Sequence, residues 1–467
     1  MSKKPVCLIV LFTVLVGVLG VSFNVHKVDA PYQIIYIKAD GSIEPSTPNI
    51  ESLDNVTYTF KANMNASIVV QRSNITIDGK GYTLGIDYLG ATVGFNLTSV
   101  NNVTIKNMEI RGFEYGISLY VSSNNTISGN NITNNEKGIN LNSSSNNNTL
   151  TGNNVAGNSA WGIGVGGSIN NVISGNNITG NPGYGVLLSG SLGNTISGNN
   201  IANNNYGILL YVSSNNTVSG NKITANYNWG ISLSNSSNNG ISENNITNND
   251  IGIELDEFPN NRIYHNNFID NTQQVHIEPS GYANFWDNGV EGNYWNNYTG
   301  VDVDGGGDGV GDGPHIIDLN NTDNHPLMGP VSFFEAGTWN EKTYYVHTVS
   351  NSTVSDFHFS QSNKVVSFNV TGLNDTPGFC RVAISRELLW CEDIFDWTVR
   401  VNGTIVPIRI QEYADHTYLH FTYSHSLQNV KIFGTKVIPE FPSFLVLPLF
   451  MTATLLAVIA YRKKHST

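Results

Sequence analysis

One short phrase returns at a fixed interval through the middle of this chain. It reads TISGNNI at Thr126–Ile132, VISGNNI at Val172–Ile178 and RIYHNNF at Arg262–Phe268, with related copies between them. Successive copies begin 22 or 23 residues apart, and a second phrase of the form GIxL lies between each pair. A fixed period of this length indicates stacked supersecondary units.

The alternation within each repeat predicts strands. Apolar residues alternate with small polar ones in both phrases, and Asn and Gly, which tolerate left-handed turn backbone, lie between them. Such a repeat has no room for a helix and cannot bury its apolar side chains without neighbours. The sequence therefore predicts an all-β, right-handed parallel β-helix with rungs about 4.8 Å apart. Ile127, Ile132, Ile139 and Leu141 should point inward.

Asparagine occupies one equivalent position in every copy. At the rung spacing, stacked amides can hydrogen-bond along the column, as they do in cross-β stacks. The column is therefore predicted to be scaffold rather than a functional site. It comprises Asn130, Asn153, Asn176, Asn199, Asn221, Asn244 and Asn266.

The NNTISGNNI-type phrases resemble the parallel β-helix repeats of the NosD-type family. That family is named for an accessory protein of nitrous-oxide reductase and is labelled periplasmic copper-binding. The resemblance covers residues 101–330, and the segment Trp286–Asp318 is similar to the end module of archaeal members. The label implies copper, which binds His, Cys or Met. The repeat region offers only isolated histidines, among them His265 and His276, so its residues give copper little support.

Composition divides the rest of the chain. Lys3 and Lys4 precede an apolar run, which predicts a signal peptide. Phe441–Tyr461 is apolar and long enough to span a bilayer, and the basic residues after it predict a cytoplasmic tail. The predicted segments are 1–30 signal peptide, 31–100 N-terminal cap and first rungs, 101–285 repeats, 286–330 C-terminal cap, 331–437 antiparallel β-sandwich, and 438–467 sorting signal or transmembrane anchor.

The phrase IPEFPS at Ile438–Ser443 resembles the PEF-type C-terminal sorting signals of archaeal surface proteins. That resemblance implies processing by an archaeosortase and a lipid anchor, whereas the alternative is a plain single-pass anchor. Either places the protein on the cell surface, where glycosylation at sequons such as those of Asn65, Asn96 and Asn351 is expected.

Charge excludes some classes of function. The formal net charge is −13, so no basic face exists to neutralise nucleic acid. Between Tyr115 and Gly240 the charged residues are Glu136, Lys137 and Lys222. This scarcity argues against a polysaccharide lyase or epimerase site in the central rungs, because such a site needs an acid, a base and charge-neutralising groups.

The residue before each Gly-Ile step forms a row that is largely aromatic. If the row faces solvent, it offers apolar area to sugar rings, which predicts a ligand-binding strip. The alternative is a structural stack that fills a turn. The row comprises Tyr115, Lys137, Trp161, Tyr184, Tyr206, Trp229 and Ile251.

The last rungs contain the candidates for acid–base chemistry. Glu254 and Asp256 alternate along one strand, and His276 and Glu278 follow 22 residues later, directly over them if the period holds. Such a group could hold a cation or act as acid and base. The alternative is a solvated charged edge where the repeat degenerates.

Two further sites are predicted outside the repeats. Asp302, Asp304, Asp308 and Asp312 lie in a glycine-rich loop, and this pattern suits calcium, with an uncharged structural turn as the alternative. Cys380 and Cys391 fall in the predicted sandwich and could form a disulfide outside the cell.

Three functions remain open from the sequence. The preferred one is a surface-anchored, non-enzymatic protein that binds polysaccharide of the envelope or surroundings. The alternatives are a polysaccharide lyase, epimerase or hydrolase with its site near Glu254, and a NosD-like accessory protein for a copper enzyme.

Overall fold

Three short strands make up each coil of the repeat region, and equivalent strands pair in parallel from coil to coil. The computed structural model describes residues 33–256, 259–278, 282–304 and 307–438. In them the repeats form a parallel β-solenoid of about ten turns, of the right-handed type that the sequence predicted. The all-β prediction is confirmed there, since the described residues contain no α-helix.

The first strands of the coils form an 11-stranded sheet. They are Ile50–Glu51, Thr57–Phe60, Ile75–Asp78, Val103–Lys106, Thr126–Ser128, Thr149–Thr151, Val172–Ser174, Thr195–Ser197, Thr217–Ser219, Gly240–Ser242 and Arg262–Tyr264.

The second and third strands form one 20-stranded sheet, because two long strands of the early coils, Thr83–Thr98 and Glu109–Tyr120, run through both positions. The second strands are Asn131–Thr133, Asn154–Ala156, Asn177–Thr179, Asn200–Ala202, Lys222–Thr224, Asn245–Thr247, Asn267–Ile269 and Tyr294–Trp295. The third strands are Gln33–Ile37, Ala66–Val70, Lys137–Asn142, Trp161–Gly166, Tyr184–Ser189, Tyr206–Tyr211, Trp229–Ser234, Ile251–Asp256 and Gln273–Glu278.

Short antiparallel strands cover the N-terminal end of both sheets. Ile43–Glu44 pairs with Gln33–Ile37, and Ile50–Glu51 pairs with Thr57–Phe60. An uncovered end would present unpaired N–H and C=O groups to other chains. These strands lie in residues 31–100, the segment that the sequence predicts to be the N-terminal cap and first rungs.

The interior of the solenoid is a stack of aliphatic side chains. Ile127, Ile132, Ile139 and Leu141 are all fully buried, as predicted. Each lies in register with its equivalents in the coils before and after, so the core is continuous from end to end. Burying one such side chain contributes about 1.5–3 kcal/mol, and the core repeats this contribution in every coil.

The predicted asparagine column is confirmed and is one of three. The Oδ1 of Asn176 accepts the backbone N–H of Asn153 at 3.0 Å and its Nδ2–H at 3.0 Å. The Nδ2 of Asn176 donates in turn to Asn199 Oδ1 at 3.0 Å and to the carbonyl of Leu150 at 2.9 Å. Parallel columns run through Asn148 and through Asn158 in the same pattern. The ladders thus pair the buried corner amides of each coil with those of the next.

Two side chains of the C-terminal cap end these columns. Asp323 accepts from the backbone N–H of Asn293 at 2.8 Å and from Trp295 Nε1 at 2.8 Å. Burial raises the pKa of Asp323 to about 6, although these hydrogen bonds oppose the rise. Asn321 Oδ1 accepts the backbone N–H of Asn284 at 3.0 Å and ends a second column.

The C-terminal region forms two five-stranded antiparallel sheets that share one hydrophobic core, which is the predicted sandwich. The first sheet has the order Val331–Trp339, Lys342–Ser350, Pro377–Ser385, His416–Ser424, Arg409–Glu412. The second has the order Thr353–Ser360, Val365–Thr371, Gln428–Phe433, Thr398–Val401, Thr404–Ile405. Two small sheets pair His315–Ile316 with Thr322–Asp323 and Leu389–Trp390 with Lys436–Val437, and Ile394–Asp396 is a 3₁₀ turn.

The two cysteines of the sandwich are both buried and both free, so the predicted Cys380–Cys391 disulfide is not formed in this structure. Burial raises the pKa of the Cys380 thiol, which keeps that thiol protonated.

The predicted signal peptide, residues 1–30, and the predicted anchor Phe441–Tyr461 lie outside the described residues, as does most of the IPEFPS phrase. Within residues 33–438, apart from the gaps named above, no helix is long and apolar enough to cross a membrane.

Candidate functional site

The predicted aromatic row lies on the outer side of the third strands. We call the outward-facing side chains of these strands, from Glu109–Tyr120 to Gln273–Glu278, the third-strand face. All five aromatic residues of the row are half-buried, so they are neither core residues nor freely exposed. They are Tyr115, Trp161, Tyr184, Tyr206 and Trp229.

The rings of the row pack on one another at the spacing of the coils. The ring centres of Tyr184 and Tyr206 are 5.0 Å apart, and those of Tyr206 and Trp229 are 4.8 Å apart. The Lys137 ammonium lies 4.2 Å from the ring centre of Tyr115 and 5.2 Å from that of Trp161. Burial opposes the charge, but hydrogen bonds to Tyr115 and Glu114 raise the pKa of Lys137 to about 12. The row therefore keeps one cation between its aromatic rings.

A glycine makes room for the Trp161 ring. A Cβ atom at Gly164 would lie 2.6 Å from Trp161 Nε1, which is too close for any side chain. The coils on either side have larger side chains in register with Gly164, Asn140 in the preceding coil and Leu187 in the following one. The absence of a side chain at Gly164 therefore lets the Trp161 indole pack against its own strand.

The four predicted acid–base residues lie on the same face, with Glu254 and Asp256 one coil beyond Trp229 and His276 and Glu278 two coils beyond it. Glu254 is in register with His276, and Asp256 with Glu278, as the period predicted. Ser232, in the Trp229 strand, donates its hydroxyl hydrogen to Glu254, and burial nevertheless raises the pKa of Glu254. The aromatic row and the carboxylates thus form one continuous surface.

The predicted calcium loop directs its carboxylates to backbone and arginine. Asp302 accepts the N–H of Gly309 at 2.7 Å, and Asp312 accepts the N–H of Val303 at 2.8 Å. The Asp308 carboxylate lies 3.9 Å from Arg409, and the Asp304 carbonyl accepts a 2.9 Å hydrogen bond from the same guanidinium. Sandwich arginines therefore supply positive charge to this loop, and calcium there stays a prediction.

A buried cluster joins the solenoid, its cap and the sandwich. His265 lies in the turn after the strand Arg262–Tyr264, Glu291 in the cap, and His347 on the sandwich strand Lys342–Ser350. Nε2 of His265 is 3.0 Å and Nε2 of His347 is 2.9 Å from the same atom, Oε2 of Glu291. Glu291 is fully buried, and each histidine is 7% exposed.

Arg381 balances the charge of Glu291. Its Nε donates to Oε1 of Glu291 at 2.6 Å, and the guanidinium lies 4.2 Å from the ring centre of Tyr418. Burial alone would raise the pKa of Glu291, but His347, His265 and Arg381 together hold it well below its usual range. The carboxylate is therefore ionised inside the interface between the two domains.

In the sequence His265 stands isolated from other histidines, and no pattern singles out Glu291, His347 or Arg381. One feature of the repeats does distinguish His265. The turn position that is glycine in five successive copies, among them Gly198 with φ 62° and Gly220 with φ 63°, becomes Glu243 and then His265, with φ 62° and 58°. Left-handed backbone is strained for such residues, so a side chain placed there points to a specific contact.

These features define a class of parallel β-solenoid with a β-sandwich docked at one end. The chain belongs to the NosD family: residues 36–206 and 184–300, together more than half of the chain, match the family described as "Periplasmic copper-binding protein (NosD)". Two imidazoles and a carboxylate, as in His265, His347 and Glu291, are donors that divalent copper accepts. His347 lies beyond the residues that match the family.

No curated protein matches the chain. Solved structures share its fold at low identity. The Dettilon tailspike protein gp208 is 14% identical, with a TM-score of 0.39, over 79% of this chain and 87% of its own. The periplasmic alginate epimerase AlgG is 16% identical, with a TM-score of 0.40, over 54% and 81%. DFA-IIIase from Arthrobacter chlorophenolicus A6 is 16% identical, with a TM-score of 0.36, over 45% and 57%.

Proposed function

We propose that this protein is a non-enzymatic carbohydrate-binding protein of the cell surface that holds an extended polysaccharide along the third-strand face. The observation that carries the proposal is the half-exposed row of stacked aromatic rings, repeated at the spacing of the coils. Aromatic faces bury apolar area well, and a row of them needs a long, repetitive partner to cover it.

The surroundings of the row favour a neutral or weakly charged polymer. The central coils have few charged side chains, and Lys137, held by Glu114 and Tyr115, is the cation that faces the row there. A strongly charged polymer would lose its hydration without a row of opposite charges to replace it. Membership of a periplasmic family supports a location outside the cytoplasm. Attachment through residues 438–467, by a helix or a lipid anchor, is part of the proposal.

The test is retention of the full chain on a panel of envelope and plant polysaccharides, with and without calcium. Tyr206→Ala and Trp229→Ala should each reduce retention about tenfold, equivalent to about 1.4 kcal/mol. Tyr345→Ala, which removes an exposed aromatic ring of the sandwich, is the matched control and should leave retention unchanged. Equal retention by all three variants would refute the aromatic row as the binding surface. A calcium-dependent difference would support an ion in the loop of Asp302 and Asp308.

A second candidate function rests on Glu254. Its raised pKa is what a general acid needs, and it lies on the face that would hold the polymer. The same incubations should therefore be analysed for shorter or unsaturated products. Products that disappear in Glu254→Gln would replace the binding proposal with a hydrolase, lyase or epimerase. Retention without products supports the binding protein.

A further inference from the structure

We propose that His265, Glu291 and His347 form a site for one divalent transition-metal ion of the kind that accepts imidazole and carboxylate ligands. Their donor atoms, one from each side chain, all lie within 4.8 Å of one another. Among the residues that the structure describes, these three form the one group of His, Cys, Asp or Glu side chains whose donor atoms lie this close together.

The donor separations suit a particular coordination geometry. The two nitrogens are 3.0 and 2.9 Å from Oε2 of Glu291. With metal–ligand bonds of about 2.0–2.1 Å, these separations correspond to ligand–metal–ligand angles of about 90°. A tetrahedral ion would need wider separations. These two nitrogen–oxygen separations therefore fit adjacent ligand positions of an octahedral or tetragonal ion, such as Cu²⁺, better than those of a tetrahedral one.

A metal ion can bind here without any side chain gaining or losing a proton, because each histidine only needs to change its tautomer. Without metal, both imidazoles can carry hydrogen on Nε2 and donate it to the one carboxylate oxygen. With metal, each imidazole keeps its single hydrogen on Nδ1 and turns the Nε2 lone pair to the ion. Arg381 occupies Oε1 of Glu291, so Oε2 remains the ligand atom.

The surroundings suit a structural rather than a catalytic ion. The His265 and His347 rings are 5.1 Å apart, and Phe333 lies against both, at 5.7 and 5.1 Å. The ligands come from the solenoid, the cap and the sandwich, so a bound ion would join the three parts of the molecule. His347 lies outside the family-matched residues, which makes the site a property of this chain and its C-terminal domain.

The experiment is titration of the chelator-treated full chain with Cu²⁺ and, separately, with Zn²⁺, followed by metal analysis after desalting. One ion per chain and a rise in Tm are expected for Cu²⁺, with weaker binding of Zn²⁺. His265→Gln and His347→Gln should each lower the affinity at least 100-fold. His358→Gln, which removes an exposed histidine of the sandwich strand Thr353–Ser360, is the matched control and should bind like the wild type.

Electron paramagnetic resonance of the Cu²⁺-loaded wild type provides a readout that does not depend on whether the variants fold. Two equivalent imidazole nitrogens should couple to the copper, and one should remain in either variant that folds. Absence of a retained ion, or a signal from one nitrogen in the wild type, would overturn the proposal. So would binding that is lost in His358→Gln and kept in His265→Gln. Since no carbohydrate is present, the result is independent of the proposed binding function.

Discussion

Asn176 shows what one side chain contributes in this fold. It is 2% exposed, and its amide closes hydrogen bonds to the coil before and the coil after. Removing any hydrogen-bond partner of this buried amide costs free energy, because the donor or acceptor left behind cannot bond to water. The adjacent Asn177 forms a similar column with Asn154 and Asn200, but these side chains lie on the solvent-exposed outer surface of the solenoid.

We therefore expect Asn176→Ala to lower the free energy of unfolding by about 3 kcal/mol, because it leaves the buried N–H of Asn153 without an acceptor. Asn177→Ala should change it by less than about 0.5 kcal/mol. Urea unfolding of the two variants, followed by tryptophan fluorescence, measures the difference. Similar losses in both would mean that the inner column is no more important than the outer one.

At the scale of single strands, Ile251–Asp256 should respond to pH through Glu254. Because its pKa is raised in the folded protein, the folded state binds more protons than the unfolded state above the ordinary value of 4.5. Stability supplied by the neutral carboxyl is present below that value and is lost as pH rises through the raised pKa. Glu254→Gln should therefore have a higher Tm than the wild type at pH 7–8, about 1–3 °C by the usual scaling, and the gain should vanish at pH 4.

Asp78→Asn provides a control of opposite sign. Burial works against its charge, but hydrogen bonds from Lys80 and Asn107 lower the pKa of Asp78. That variant should be less stable than the wild type at neutral pH, with the difference shrinking on acidification. A Tm difference for Glu254→Gln that does not change with pH would contradict the proposed burial effect.

The strands that repeat were predictable because their information is local and periodic. Register over 22 or 23 residues placed His276 over Glu254 without any knowledge of the structure, and it aligned the asparagines of the Asn176 column so that their amides could bond. The buried cluster was not predictable in this way. No period relates His265 to His347, and only the docking of the sandwich brings them together. The sequence contained one local indication of this cluster, which is the replacement of a glycine in left-handed backbone by a histidine.

At the scale of the whole molecule, the docking of the two domains depends on charge balance inside the interface. Arg381 is 1% exposed and Glu291 fully buried, so removing either leaves the other as an uncompensated buried charge. Arg381→Met should therefore cost about 3–5 kcal/mol. Arg381→Met combined with Glu291→Gln should cost less than the sum of the single changes, with a coupling of about 2 kcal/mol.

Denaturant unfolding in the presence of a chelator measures this cycle without interference from metal ions. Arg400→Met, which removes an exposed arginine of the other sandwich sheet, should be close to neutral. Additive single effects would show that the two side chains do not act on each other and that the domains are held by other contacts.

The asparagine columns bond each coil to its immediate neighbours, and two of them are closed at the C-terminal end by Asp323 and Asn321 of the cap rather than by a coil. Loss or duplication of one complete coil would therefore leave the hydrogen-bond pattern of these columns and their closing residues in place. Recombination between repeated coding segments is the kind of genetic event that removes or adds such units. The length of the aromatic row, and with it the length of polymer that the proposed binding face would hold, is thus a trait that evolution can adjust in steps of one coil.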